Sequence, residues 1–340
     1  MPGEELLAKV RERYPRTVRL VLSGQANKDC IMDSVGPIHQ FLQKPCDPEV
    51  LTSAIQRTTE LGDLFDDESL RELVCGLESL PSLPSHQHEL ISMLQMPEVS
   101  GKLVGGAIKH DVAMTAKLLQ LVNSSFFGLG KCVVDIYEGI GYLGADIIRA
   151  LVASNGAFSA FESEQTTSLE AFWHHSALTG LLAGRIVEME IGTDRLLQGE
   201  AVQAGMLHDV GQLALAARLP GEFRSTRDGF AAVSTYQRAR IGCDHDRVGA
   251  YLMGLWGLSD RIVEAIAYHH HPRECAFSGW SPLTAVHAAN ALINEQLGMN
   301  DSELDSAYLA SVGCGRRIDH WRREAEQVVS RGCEPSALVT

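Results

Sequence analysis

Seven histidines gather at four places along the chain, and the second of these places is a His-Asp doublet inside an apolar run. A His-His pair lies at 174–175, a His-Asp doublet at 208–209, a single histidine at 245 and a run of three at 269–271. Neutral imidazole and carboxylate are typical ligands of Zn, Fe, Mn or Ni, and a helical bundle can bring them together from separate helices. The pattern therefore predicts a divalent transition-metal site, although a lone histidine is more often a packed or solvent-facing side chain.

The elements that must position these histidines are predicted to be helices. Apolar residues recur at the 3.6-residue helical period at 88–94, 101–109, 111–123, 136–153, 169–189, 196–217, 235–253, 260–270 and 282–297. The doublet falls inside the predicted helix 196–217, in the apolar run AGMLHDVGQLAL. Strand-like alternation is hard to find in this part of the chain, which is therefore predicted to be predominantly α-helical.

Composition limits the class of protein. With 45% hydrophobic and 21% charged residues, a chain of 340 residues can bury a sizeable core and is expected to form two domains. No apolar run approaches the roughly twenty residues of a membrane helix. The first residues are too charged for a secretory signal, so we expect a cytoplasmic protein.

The net charge of −14 limits the partners. Residues 1–59 contain eight Lys/Arg and seven Asp/Glu, so the negative charge lies in the rest of the chain. Because an acidic surface repels phosphate backbones and anionic lipids, we expect neither nucleic acid nor a membrane as the main partner.

The first sixty residues follow a different pattern. A helical segment ends at Pro15 and is followed by the β-rich run TVRLVLSG, a helix at about 27–35, a second strand IHQFLQKP and a helix that begins near Pro48. This alternation predicts an α/β element with parallel strands.

This portion resembles the second half of a two-component receiver domain, which has a flavodoxin-like α/β fold. The resemblance implies that Ser23 is the hydroxyl that senses the phosphorylated aspartate, Phe41 the aromatic switch residue and Lys44 the lysine that pairs with the phosphoryl group. The opening Met-Pro-Gly resembles the motif after the third receiver strand, which would place the phosphoacceptor aspartate upstream of residue 1. We therefore expect a truncated reading frame or a fragment of a longer response regulator. A generic α/β fragment is the alternative.

Two strands rarely hold alone, and such a half-sheet leaves a strand edge without a neighbour. Residues 1–60 are therefore expected to dock on the rest of the chain or on a second copy, which would make the protein a homo-oligomer. An acidic, leucine-bearing linker is predicted at 61–84, the helical domain at 85–325 and a tail at 326–340.

Several helical segments resemble HDOD domains, the signalling relatives of the HD metal-dependent phosphohydrolases. The matching segments, in the order of the family, are DVAMTAKLLQLVNSSFFGLG (111–130), IGYLGADIIRALV (140–152), FWHHSALTG (172–180), AGMLHDVGQLAL (204–215) and DHDRVGAYLMGLWGLSDRIVEAIAYHHHP (244–272). The implied fold is a multi-helix, HD-like domain preceded by the truncated receiver fragment.

The resemblance also implies a set of metal ligands. HD enzymes use a histidine, a His-Asp doublet and a distant aspartate, and HD-GYP phosphodiesterases add a histidine and a His-His pair. The seven corresponding residues are His175, His208, Asp209, His245, His269, His270 and Asn290.

Two positions depart from the pattern of the enzymes. Asn290 has a neutral amide where HD enzymes have a carboxylate, so we expect weaker metal binding. Gln212 stands four residues after His208, one helical turn on, where HD-GYP enzymes have a lysine that contacts the scissile phosphate. A glutamine lacks the positive charge that stabilises a transferring phosphoryl group. No Gly-Tyr-Pro element follows HHHPREC.

These departures favour signalling over catalysis. We expect a response-regulator output protein whose HDOD domain is a non-catalytic regulatory module that contacts signalling proteins or a nucleotide ligand. The alternative is a metal-dependent phosphohydrolase that acts on a cyclic dinucleotide or nucleotide. If the histidines are inherited core residues of a structural scaffold, no metal binds.

Overall fold

The computed structural model describes residues 3–24, 38–64, 67–77, 79–96, 99–124, 132–153, 158–160, 166–218, 244–299 and 302–332. The chain forms two compact units. The first comprises Met1–Ser163, Gln212–Phe223 and Tyr251–Leu258, and the second comprises Glu164–Gly211, Arg224–Ala250 and Ser259–Thr340. No helix within the described ranges has the length and apolar character needed to cross a bilayer.

Helices dominate both units, as predicted. The helices of the first unit are α1 (Gly3–Arg13), α2 (Pro48–Leu64), α3 (Glu68–Cys75), α4 (Pro84–Leu94), α5 (Gly101–Lys109), α6 (Val112–Val122) and α7 (Ile136–Ala153). Those of the second unit are α8 (Thr166–Ile191), α9 (Arg195–Leu207), α12 (Asp260–Tyr268), α13 (Pro282–Leu297), α14 (Ser306–Ser311) and α15 (Ile318–Gly332). Two further helices are α10 (Val210–Arg218) and α11 (His245–Leu255).

Within the described part of the first unit, four short strands form two parallel pairs. β1 (Leu20–Ser23) pairs with β2 (Gln40–Gln43), in the parallel arrangement that the sequence predicts. The helix predicted at 27–35 lies outside the described residues. β3 (Leu80–Ser82) pairs with β4 (Phe158–Ala160), and this pair was not predicted, because three-residue strands are too short to show alternation.

Buried hydrogen bonds join the N-terminal strands to the helices of the first unit. The Gln120 amide on α6 donates to the carbonyls of Ile38 and His39, at 3.3 and 3.1 Å. The Arg19 guanidinium donates to the Cys75 carbonyl at 2.6 Å. The N-terminal α/β segment thus docks on the helices of its own unit, one of the two outcomes expected for a half-sheet.

A buried lysine lies beside this contact. The Lys117 ammonium on α6 is 3.0 Å from the Gln120 side-chain oxygen and 4.4 Å from the centroid of the Trp256 ring. Burial lowers the pKa of Lys117 to about 7. At neutral pH the buried Lys117 side chain is therefore only partly protonated.

We expect Lys117→Met to remove a pH dependence of stability. Above pH 7 the folded protein gives up a proton that the unfolded chain keeps until about pH 10, so the free energy of unfolding rises with pH in this window. Between pH 7 and pH 9 the free energy of unfolding should rise by about 2 kcal/mol more in the wild type than in the variant, as measured by urea unfolding. The exposed Lys102→Met is the matched control and should behave as the wild type. Parallel pH profiles for the wild type and Lys117→Met would contradict this assignment.

Glycines allow two helices of the second unit to approach closely. A Cβ on Gly205 of α9 would lie 2.7 Å from the Gly180 Cα and 3.0 Å from the Thr179 carbonyl oxygen, both on α8. A Cβ on Gly180 would lie 2.8 Å from the Val202 carbonyl oxygen. Backbone meets backbone at this crossing, so neither position has room for a side chain.

Polar contacts hold the remaining helices of the second unit. The buried Glu200 carboxylate on α9 accepts from the Ser259 hydroxyl at 2.8 Å and from the Arg261 guanidinium at 3.3 Å, which fixes the start of α12. The Glu190 carboxylate on α8 accepts from Arg317 and from the Trp321 indole on α15, at 2.7 and 2.9 Å. Helix α13 is buried continuously from Pro282 to Asn294, including the polar side chains of His287 and Asn290.

We expect Gly205→Ala to destabilise the protein by about 1–3 kcal/mol, because backbone atoms at the crossing cannot move aside. Gly106→Ala on α5 is the matched control, since nothing lies within 4 Å of a Cβ there. That change should stabilise by up to about 1 kcal/mol through helix propensity alone. Chemical denaturation of both variants is the measurement. A Gly205→Ala protein as stable as the wild type would show that the helices do not cross at this distance.

Candidate metal centre

The His-Asp doublet lies at a break between two helices, so the prediction of one continuous helix at 196–217 was wrong. Helix α9 ends at Leu207, the doublet forms a turn, and α10 begins at Val210. The reason is close packing just after the turn. A Cβ on Gly211 would overlap the His245 carbonyl and would lie 2.7 Å from the Gly249 nitrogen. The start of α10 therefore rests directly on α11, which brings the Asp209 carboxylate to His245.

The Asp209 carboxylate is surrounded by imidazoles. Its Oδ1 atom is 2.9 Å from His245 Nε2 and 3.7 Å from His269 Nε2. Its Oδ2 atom is 3.3 Å from His208 Nε2. The carboxylate thus contacts three histidines that belong to three separate clusters in the sequence.

The other predicted ligands complete two groups that share Asp209. His175 Nε2, on α8, is 3.3 Å from His208 Nε2 and 3.1 Å from the Asn290 side-chain oxygen on α13. His270 Nε2 is 3.3 Å from His245 Nε2. One group is therefore His175, His208 and Asp209, with Asn290 alongside, and the other is Asp209, His245, His269 and His270. The structure brings all seven predicted ligands together.

The spacing of these atoms fits metal coordination. Ligand atoms held about 2.1 Å from one tetrahedral or octahedral ion are roughly 3.0–3.4 Å apart. Most of the separations above fall within or close to this interval. His269 Nε2 is buried and has no hydrogen-bond partner among the described residues, although it faces Asp209. A cation between the imidazole and the carboxylate would satisfy both groups.

Main-chain carbonyls set the tautomers of two of the imidazoles. His208 Nδ1 is 2.7 Å from the Gly205 carbonyl and His269 Nδ1 is 2.8 Å from the Ile266 carbonyl. Because a carbonyl only accepts, each Nδ1 carries a proton, and in the neutral ring each Nε2 then presents a lone pair to the centre. The neutral tautomer of a ligating histidine is thus already selected.

Electrostatics also prepare the site for a cation. Burial, with the neighbouring His208, lowers the pKa of His175 to about 4, and burial with the neighbouring His245 lowers that of His270 to about 3. Burial alone would raise the pKa of Asp209, but the imidazoles of His208 and His245 hold it well below its usual value. At neutral pH the cage therefore offers the neutral imidazoles of His175 and His270 beside an ionised carboxylate.

An open cavity of about 560 Å³ reaches the cage at His270. Its lining is mostly polar, and the residues are His270, His271, Arg273, Glu274, Glu303, Leu304, Asp305 and Ser306. The Arg273 guanidinium is bound to the Asp305 carboxylate at 2.6 Å. Within this lining the one arginine is therefore already paired with a carboxylate.

The remaining predicted residues lie in the first unit. Gln212 is buried, and neither of its amide atoms has a hydrogen-bond partner in the described part of the chain. Ser23 ends β1 opposite Gln43, and the exposed Lys44 follows directly, so both residues stand at the carboxyl edge of the strand pair. Phe41 is buried within β2.

Two residues behind the ligands are outside the predicted ligand set, and their supporting contacts were not predicted. The Asn294 amide donates to the Asn290 side-chain oxygen at 3.1 Å, and His287 binds the His269 carbonyl. The spacing of Asn294, one helical turn after Asn290, could have indicated the first contact. The second leaves no signal in the sequence, because the acceptor is main chain.

Proteins of known sequence or structure resemble this chain. An uncharacterized protein of Treponema pallidum (strain Nichols) is 25% identical over 233 residues, which are 67% of this chain and 42% of the relative. The chain thus spans less than half the length of that relative. The structure of the MmoQ response regulator of Methylococcus capsulatus str. Bath is 23% identical with a TM-score of 0.56, over 72% of this chain and 98% of that one. A virulence factor of Campylobacter jejuni subsp. jejuni is 19% identical with a TM-score of 0.57, over 80% and 97%.

The two structural likenesses show that the fold is shared. The family model of the HDOD domain matches residues 80–272, which are more than half of the chain and include six of the seven candidate ligands. The chain therefore belongs to the HDOD domain family.

Proposed function

We propose that this protein is a response-regulator output protein whose HDOD domain holds a divalent transition metal as part of a regulatory module and does not hydrolyse phosphodiesters. The observation that carries the proposal is the pairing of a well-formed His/Asp cage with an acidic cavity. Fe, Mn, Zn and Ni all suit a site of imidazoles and carboxylate.

Charge in the cavity argues against a phosphodiester substrate. Glu274, Glu303 and Asp305 face this space, while the single Arg273 is bound to Asp305. A bound metal would supply Lewis acidity and lower the pKa of a coordinated water, but phosphoryl transfer also needs positive charge on the developing anion. In the HD-GYP pattern a lysine supplies this positive charge, and the neutral Gln212 stands at the corresponding position of this chain.

The N-terminal segment supports a place in two-component signalling. Residues 1–60 are proposed to be the second half of a receiver domain, with Ser23 and Lys44 at one edge of a parallel strand pair. Hydrogen bonds from Gln120 join this segment to α6 of the same unit. A structural relative carries the description response regulator. Signalling proteins are therefore the proposed partners. Four further points remain predictions: a nucleotide ligand, self-association, a cytoplasmic location, and the boundaries of the linker at 61–84 and of the helical domain at 85–325.

The second candidate function is a metal-dependent phosphohydrolase. The observation in its favour is the cage itself, because six of the seven ligand positions of the HD-GYP pattern keep their histidine or aspartate and these six residues lie together. This candidate requires turnover, whereas the proposed regulatory module requires metal without turnover.

One assay separates the two candidates. We expect the purified protein to bind Mn or Fe and to leave cyclic dinucleotides intact, with metal content followed by mass spectrometry and hydrolysis by chromatography. His208→Ala and Asp209→Ala should each lose the metal, because each removes a ligand of the cage. Lys102→Met is the matched control. Metal-dependent hydrolysis that both alanine variants abolish would defeat the proposal in favour of the enzyme, and a wild type without metal would favour a structural scaffold.

We expect Asn290→Asp to tighten Mn²⁺ binding by about tenfold or more, because a carboxylate adds the negative charge that the amide lacks. A tenfold change corresponds to about 1.4 kcal/mol. Asn290→Ala should weaken binding, and titration of the metal-free proteins measures both constants. If the two variants bind Mn²⁺ as the wild type does, residue 290 is not a ligand.

A further inference from the structure

His287 stands in the middle of α13 and is fully buried. Its Nδ1 atom is 2.8 Å from the His269 carbonyl oxygen, and its Nε2 atom accepts from the Asp305 backbone N–H at 2.9 Å. A carbonyl only accepts and an N–H only donates, so Nδ1 carries the ring proton and both nitrogens are used. The ring therefore has no lone pair left for a metal.

The two hydrogen bonds end on different parts of the site. His269 is a candidate ligand, and its Nε2 atom faces Asp209. Asp305 lines the cavity that reaches His270, and its carboxylate caps α14 through the Tyr308 backbone N–H at 2.9 Å. One imidazole thus ties the main chain of a cage residue to the wall of the cavity.

We propose that His287 is a positioning residue for the metal centre, which holds the His269 main chain in place for ligation and keeps the cavity wall at Asp305 in a fixed relation to the cage. This inference rests on the proposed metal site. His287 acts through a carbonyl of a ligand residue, a type of outer contact that commonly tunes metal affinity. It lies one helical turn before Asn290, so α13 supplies both a direct candidate ligand and this support.

Three substitutions separate the two hydrogen bonds. In His287→Asn the side-chain NH₂ can still donate to the His269 carbonyl, in His287→Gln the side-chain oxygen can still accept from Asp305, and His287→Phe loses both. We expect the Gln and Phe variants to bind Co²⁺ about 10–100-fold more weakly, with an altered Co²⁺ absorption spectrum, and the Asn variant to stay within about threefold of the wild type. If Phe does not fold, the Asn and Gln pair decides the question.

Tyr308→Phe is the matched control. The Tyr308 ring packs edge-on against the His287 ring, with 5.9 Å between the ring centroids. The Tyr308 hydroxyl is 2.9 Å from the Thr284 hydroxyl and does not touch a candidate ligand. It should bind Co²⁺ as the wild type does even if its melting temperature falls. Equal Co²⁺ affinity and spectra in all the variants, or losses that track stability in the control as well, would overturn the positioning role.

A metal-free measurement keeps this inference separate from the metal site. In ¹⁵N-edited NMR spectra of the imidazoles, the His269 signals, identified by their loss in His269→Gln, should shift in His287→Gln and stay in place in His287→Asn. A wild type that binds no Co²⁺ would reject the metal site while these spectra still decide the role of His287. Unchanged His269 signals in both variants would reject the positioning role whatever the metal content.

Discussion

The second unit depends on the burial of one carboxylate, that of Asp209. An ionised carboxylate in a protein interior is tolerated only when other groups compensate its charge, and removing such a partner typically costs about 3–5 kcal/mol. A divalent cation would supply that compensation here, held by Asp209 and by the surrounding imidazoles of His208, His245 and His269. These imidazoles come from distant segments, so the helices that carry them must converge on one point.

Backbone packing makes this convergence possible. Gly180 and Gly205 let α8 and α9 meet at main-chain distance, and Gly211 lets α10 meet the start of α11. The carbonyls of Gly205 and Ile266 then hold the rings of His208 and His269 in the tautomer that points Nε2 inward. The chemistry of the centre is therefore fixed by glycines and carbonyls as much as by the histidines themselves.

The sequence predicts which residues meet but not how. The apolar periodicity of 101–109, 136–153 and 282–297 reproduces α5, α7 and α13, and the histidine clusters identify the ligands, because both signals are local. The role of His287 depends on the main-chain partners of its imidazole, which the sequence does not show. The break at the His-Asp doublet depends on contacts between main-chain atoms of distant segments. Such contacts place no requirement on side-chain type apart from glycine, so periodicity alone extends the helix through the doublet.

The central claim is that the residues around Asp209 form a metal centre. Anomalous X-ray diffraction from crystals of the protein reconstituted with Mn²⁺ tests it most directly. The account predicts an anomalous peak about 2.0–2.3 Å from an Asp209 carboxylate oxygen and from the Nε2 atoms of the surrounding histidines. No peak at Asp209 in crystals saturated with Mn²⁺, or peaks only at surface carboxylates, would contradict it.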